Sequence, residues 1–136
     1  MGQKGQILNS NNLESRNENS YLNFEKRENY LFNSSIKGIE ESDFIFLIGS
    51  NPRFEATILN ARIRKAYLKN KTNIVSLNDV GDLTYPYEFL NGSTENIKEI
   101  VENRHALSNS IKEAKKPIII LGQSALSSNS GKYIFE

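Results

Sequence analysis

Ser50, Asn51 and Arg53 are the side chains of this 136-residue chain best placed to do chemistry, because they follow Gly49 in the run GSNPR, directly after five apolar residues, FIFLI. Loop amides that open a helix at such a strand end carry positive potential, and an arginine beside them can pair with phosphate or carboxylate. Anion binding is therefore one reading. A structural role stands beside it, in which Gly49 permits the sharp exit from the strand and Asn51 with Pro52 starts the helix. Gly122-Gln123-Ser124 repeats the arrangement after another apolar run, so Gln123 would border the same crevice. Glu40 with Glu41, and Asp79 with Asp82, are close carboxylate pairs. General acid–base work needs a perturbed carboxyl in a cleft, and the polar surroundings of these four predict solvated charges. His105, the one histidine, has no recognisable Ser or Cys nucleophile beside it and reads as a surface or capping residue. The chain has no cysteine, which excludes thiolate ligation of iron–sulfur clusters, disulfides and Cys-type zinc sites.

The elements that must position these residues form a βαβ pattern. Residues 44–48 are a short, uninterrupted apolar run bounded by turn residues, which predicts a parallel strand buried on both faces. A helix follows, with Ala56, Leu59, Ile63 and Ala66 or Tyr67 at helical spacing and Arg62, Lys65 and Lys69 on the other side, part of a basic face with Arg64. That basic face fits either solvent or an acidic partner surface. Residues 73–77, NIVSL, supply a second strand after a crossover long enough to return parallel. The stretch 78–92 holds Gly81, Pro86 and Gly92, which forbid long regular structure, yet also Leu83, Tyr85, Tyr87, Phe89 and Leu90, which predict a surface that packs against something. A helix is expected from Ser93 or Thr94, with Thr94 able to cap it, and another over residues 106–114. Pro117 opens a third strand over 118–121, and a further helical turn starts at 124. Before the first strand, residues 31–41 offer a helix capped by Ser34 or Ser35, with Ile36 and Ile39 turned inward. The fold class is α/β: a parallel three-stranded sheet with flanking helices, in which ligands would sit beyond the carboxyl ends of the strands. The sheet reads as truncated.

ENYLFNSSIKGIEESDFIFLIGSNPRFEATILNARIRKAYL, then DLTYPYEFL and KEAKKPIIILGQSAL, resembles the large iron–sulfur subunit of the peripheral arm of respiratory complex I, NADH:ubiquinone oxidoreductase. The resemblance covers about residues 29–126, with NPRFEA, LNARIRKA, DLTYPYE and the Lys-Pro-Ile strand in that family's order. More distantly, the region is similar to the molybdopterin-binding oxidoreductases, whose strand-end Gly-x-Asn-Pro turn matches Gly49-Ser50-Asn51-Pro52. The resemblance implies a partial molybdopterin-oxidoreductase-like (Rossmann-like) domain that has lost its cofactor. It also implies a structural part in electron transfer from NADH to ubiquinone, with FMN and the iron–sulfur clusters on partner polypeptides. Its partners would be the cysteine-bearing part of the same subunit and other peripheral-arm subunits. In the cofactor-binding relatives a second reading segment of Asp-Pro-Arg type follows the next strand, where this chain has Asn78-Asp79-Val80-Gly81-Asp82. Ser50, Asn51, Arg53 and Gln123 are then a vestigial pocket loop. Thr57 stands where both groups commonly have proline. The alternative is a fragment of a molybdopterin-dependent oxidoreductase, or a nucleotide-binding module, that keeps ligand binding at residues 49–53; the absence of Gly-x-Gly-x-x-Gly after a strand speaks against the nucleotide-binding module.

Composition sets outer bounds. The length suits one domain, 38% hydrophobic residues suffice for a modest core, and a formal net charge of +1 without a basic, aromatic-interleaved stripe argues against a nucleic-acid binder. Residues 1–28 read as a polar irregular arm with isolated apolar side chains, and 29–136 as the partial α/β domain. The first twenty residues include Glu14 and Glu18, unlike an acidic-poor transit peptide, and Gln6 stands where a myristoylation signal needs Ser or Thr. The longest apolar run falls far short of the ~20 residues that span a bilayer. The expected location is the matrix side of the mitochondrial inner membrane with an organelle-encoded chain, as the Asn, Ile, Lys and Ser usage favours, or else the cytoplasmic face of a bacterial membrane.

Overall fold

The structure is a computed structural model that describes residues 25, 26 and 34–135. Nearly all of the polar arm, and the start of the helix expected from residue 31, lie outside the described residues. The elements run α1 (Ile36–Glu40), β1 (Phe44–Ile48), α2 (Pro52–Glu55), α3 (Thr57–Asn70), β2 (Asn73–Ser76), β3 (Glu88–Phe89), α4 (Thr94–Val101), α5 (Ala106–Glu113), β4 (Pro117–Leu121), α6 (Gln123–Leu126) and α7 (Gly131–Phe135).

All strand pairs are parallel, in the order β3-β2-β1-β4. Phe44 lies opposite Asn73 on one side and Pro117 on the other, so β1 is central. Its five residues are all buried, as an uninterrupted apolar run predicts for a strand covered on both faces. Alternation divides them. Phe44, Phe46 and Ile48 pack with Val75, Leu90, Ile97 and Leu107 beneath α4 and α5, while Ile45 and Leu47 pack with Ile39, Ile63, Leu83 and Ile120 on the side of α1 and α3.

The sheet has four strands where three were expected. The extra strand, β3, is two exposed residues between Pro86 and Gly92, too short to give a periodic signal. The single helix expected after β1 is two, because Ala56 leaves the helical region at φ −150°, ψ 73°. Thr57 is then the first residue of α3, a position that accepts proline, so the departure from the resembling families there is mild. Ser35 caps α1, and Ile39 is buried, but Ile36 faces solvent rather than inward. Ser93, not Thr94, caps α4 by accepting the N–H of Glu95. The aromatic loop folds onto its own domain: Leu83, Tyr85 and Leu90 are buried, and of the five named apolar residues only Phe89 is widely exposed.

At the amino ends of the strands the carboxylates are paired rather than freely solvated. Glu40 receives Arg62 and Lys65, and these hydrogen bonds, Lys65's foremost, hold its carboxyl below the usual range. Glu41 pairs with Lys116, with the same effect. Burial opposes ionisation of Asp43, but the backbone N–H groups of Lys115 and Lys116 donate to its two oxygens at 2.6 and 2.9 Å and keep it ionised below its ordinary pKa. These groups tie β4 and α3 to β1 at the end of the sheet away from the strand-end loops.

Candidate functional site

Three loops meet beyond the carboxyl ends of the strands: residues 49–51 after β1, 78–82 after β2, and Gly122 with Gln123 and Ser124 after β4. The first and last are in backbone contact. A Cβ on Gly122 would lie 2.0 Å from the Gly49 carbonyl oxygen, and one on Gly49, whose φ is +61°, would lie 2.5 Å from the nitrogen of Ala125. The Ser124 hydroxyl donates to the same Gly49 carbonyl. The gap between β1 and β4, where a ligand of a parallel sheet would enter, is filled by the chain's own backbone.

Between the first and second loops the candidate residues turn on one another. Asn51 Nδ2 donates to the Val80 carbonyl at 3.0 Å, and the Asn51 backbone N–H donates to Glu55 Oε1 at 3.0 Å. Glu55 thereby closes the first turn of α2 much as a capping box does. Asn51 Oδ1 is buried without a partner among the described residues. The Arg53 guanidinium donates to Asp82 twice, to Oδ2 at 2.6 Å and to its carbonyl at 2.7 Å. Asp82 Oδ1 also accepts the Thr84 N–H, and this bond first, then Arg53, lowers the carboxyl's pKa. Asp79 accepts from the Gly81 N–H and the Tyr87 hydroxyl. Both aspartates of the expected pair are thus turn-forming groups in a closed loop.

Two shallow cavities lie at these loops among the described residues. One of about 340 Å³ is lined by Gly49, Ser50, Asn51, Glu55, Asn78, Asp79, Val80 and Ser124. The other, of about 410 Å³, is lined by Glu55, Gln123, Ser124 and Ser127. Of the four residues singled out from the sequence, Ser50 and Asn51 share the first, Gln123 lies in the second, and Arg53 lines neither. The ionisable side chains of both linings are carboxylates, Glu55 and Asp79, so the crevice is acceptor-rich where an anion site needs donors.

The loop after β2 is anchored from behind by a buried pair. Tyr85 donates to Asn60 Oδ1 at 2.8 Å, and Asn60 Nδ2 donates to the Leu83 carbonyl at 3.0 Å. Burial pushes the Tyr85 hydroxyl well above its usual pKa, so it is a fixed donor. His105 caps α5, its Nδ1 accepting the Leu107 N–H, the capping place expected from the sequence. Sequence reasoning missed Glu55 and Asn60. Glu55 had a signal, an acid one turn after a helix-opening Asn-Pro. Asn60 had none, since an asparagine within an apolar helical stripe identifies its partner only after the fold exists.

A family model described as molybdopterin oxidoreductase matches residues 5–136. The chain is 40% identical over 114 residues to the NADH-ubiquinone oxidoreductase 75 kDa subunit of Reclinomonas americana, covering 84% of this chain and 16% of that protein. It is 35% identical over 115 residues to the mitochondrial NADH dehydrogenase [ubiquinone] iron-sulfur protein 1 of Solanum tuberosum, covering 85% and 16%. To the mitochondrial NADH-ubiquinone oxidoreductase 78 kDa subunit of Candida albicans it is 36% identical over 113 residues, covering 83% and 15%. The chain spans about one sixth of the length of these relatives. An all-parallel sheet with its candidate loop after the central strand, together with a family match across nearly all of the sequence, means that this chain belongs to the molybdopterin oxidoreductase family, and over most of its length it is similar to the 75/78 kDa subunits of complex I.

Proposed function

We propose that this chain is a structural segment of the large iron–sulfur subunit in the peripheral arm of respiratory complex I, on the matrix side of the inner membrane. It supports electron transfer from NADH to ubiquinone without holding a redox centre. Iron–sulfur clusters and FMN belong to the cysteine-bearing part of the subunit and to neighbouring polypeptides, against which this segment packs. The observation that carries the reading is the internal neutralisation of the strand-end crevice. Glu55 occupies the Asn51 amide and Asp82 occupies the Arg53 guanidinium, the two donors that an anionic cofactor would need. The residues present do not fit a phosphate-bearing pterin: the linings hold two carboxylates and no cation, and Gly49 and Gly122 touch where the group would enter. The chain has no thiolate to hold a cluster. Among the described residues, no helix is long and apolar enough to cross a membrane, which suits a peripheral place in the assembly.

The test is purification of the tagged chain from its native source. Complex I subunits, iron and FMN should accompany it, without molybdenum and without extractable pterin. Stoichiometric molybdenum or pterin would overturn the reading, as would recovery of the chain free of those subunits.

Arg53 gives a finer test. Its pair with Asp82 is largely exposed, and such pairs contribute roughly 0–1 kcal/mol. Arg53→Ala should lower the amount or thermal resistance of assembled enzyme modestly and leave NADH oxidation per assembled complex near normal. A large fall in turnover at normal abundance would instead restore Arg53 to a ligand-binding role.

A further inference from the structure

Helix α3 is apolar on two sides. Asn60, Ile63 and Ala66 are buried toward the sheet, with Leu59 and Tyr67 packed beside them. On the opposite side Ile58, Ala61, Lys65 and Leu68 follow one another at spacings of three and four, the repeat of a helix–helix seam. Ile58 is 70% exposed and Leu68 60%, and Phe54, in α2 before the break at Ala56, is 80% exposed. A shallow groove of about 390 Å³ lined by Thr57, Ile58, Ala61, Arg62 and Lys65 runs along this face. A helix with apolar residues on both sides is ordinarily covered on both.

The charge around the groove is one-sided. α3 contains Arg62, Arg64, Lys65 and Lys69 and no acidic residue. Arg62 and Lys65 share the single carboxylate of Glu40, which leaves an excess positive charge, and Arg64 and Lys69 make no ion pair among the described residues. On a helical wheel Arg64 falls on one flank of the stripe and Arg62 with Lys69 on the other. Ala61 at the centre lets a second helix axis come close.

We propose that this stripe docks an amphipathic helix whose apolar seam is flanked by aspartate and glutamate, contributed by the part of the subunit that the relatives carry outside the matched sixth. The inference rests on the reading of this chain as a segment of that subunit. Charge complementarity selects the occupant. A second copy of α3 would set four cations against four with one Glu40 carboxylate on each side, an excess of positive charge that like-charge repulsion disfavours. Acidic flanks would instead pair with Arg64 and Lys69 while apolar side chains cover Ile58, Ala61 and Leu68.

The chain lacks cysteine, so Ile58→Cys places its only thiol in the seam. In the purified assembly, maleimide labelling of that thiol should be roughly tenfold slower, or more, than in the same sample denatured, because reaction then requires local opening. A benzophenone carried on the same cysteine should crosslink to one peptide of the remaining subunit, helical and acid-flanked. Arg64→Glu with Lys69→Glu should sharply reduce incorporation of the chain, and reversing the charge of the crosslinked acids should restore it. Equal labelling rates overturn the proposal, as does a crosslink to a second copy, to lipid or to a segment without acids. If the unmodified chain does not co-purify with complex I subunits, the underlying reading fails first and the docking face fails with it.

Discussion

Gly122→Ala is expected to destabilise the domain by about 3 kcal/mol or more, the upper range for overpacking a filled site. The added carbon would stand 2.0 Å from the Gly49 oxygen, 2.5 Å from its carbonyl carbon and 2.7 Å from the Ser50 Cα. All three are backbone atoms of the segment leaving the central strand, so no rotamer change relieves the overlap. Separation of β4 from β1 is the available response, and it would break the ladder that joins Phe44 to Pro117 and Ile48 to Leu121. Gly49→Ala should be similarly severe. It combines a left-handed φ of +61°, which costs an alanine about 1–2 kcal/mol, with contacts of 2.5 and 2.9 Å to the Ala125 nitrogen and Cα that Ala125→Gly would not remove. Gly81→Ala is the control. Its φ is +70° but nothing lies within 4 Å of the new carbon, so it should show the conformational cost alone, about 1–2 kcal/mol. The measurement is protease resistance and recovery of the three variants in the assembled state. Equal behaviour of Gly122→Ala and Gly81→Ala would mean that the β1–β4 contact is looser than described and the crevice open.

The ladder of parallel strands was legible because each strand carries its own signal. FIFLI, NIVSL and PIIIL are short, largely apolar runs with breakers at their ends; burial on both faces accounts for the lack of alternation in FIFLI, whereas the edge strand PIIIL keeps Ile119 exposed. β3 left no trace, because two exposed residues gain their strand character from β2 rather than from their own side chains. The cap on α4 could not be fixed between Ser93 and Thr94, since either hydroxyl can accept from the first turn and only the entry angle decides. The position of the candidate site was equally legible, from the rule that ligands lie beyond the strand ends. Its state was not. That Arg53 meets Asp82 and that Gly122 meets Gly49 are contacts across 29 and 73 residues, and no local pattern encodes them. At residues 78–82 the sequence shows only that Asp-Pro-Arg is replaced; that the replacing segment brings a carboxylate onto Arg53 is visible in the fold alone.

Residues 1–136 expressed alone are expected to aggregate or to unfold weakly and without cooperativity. The exposed aromatic loop anticipated from the sequence is not the cause, since that loop is mostly buried. The cause lies at β4 and α3. Among the described residues β4 pairs only with β1, which leaves its other edge without a strand and Ile119 54% exposed, the kind of edge that recruits further strands. The opposite edge, β3, is short and blunt. Ile58, Leu68, Val101 and Ile119 each forgo most of the roughly 1.5–3 kcal/mol that full burial of such a side chain contributes, a large sum against a typical total stability of 5–15 kcal/mol. A domain of about this length has little reserve, because the fraction of surface buried on folding is smaller for shorter chains. Co-expression with the cysteine-bearing part of the subunit should restore solubility by covering the β4 edge and the α3 stripe together. Light scattering, chemical denaturation and amide NMR of the isolated chain are the measurements. A monomer with well-dispersed signals and one sharp unfolding transition would refute the expectation, and would mean that both surfaces are tolerated in water and need no partner.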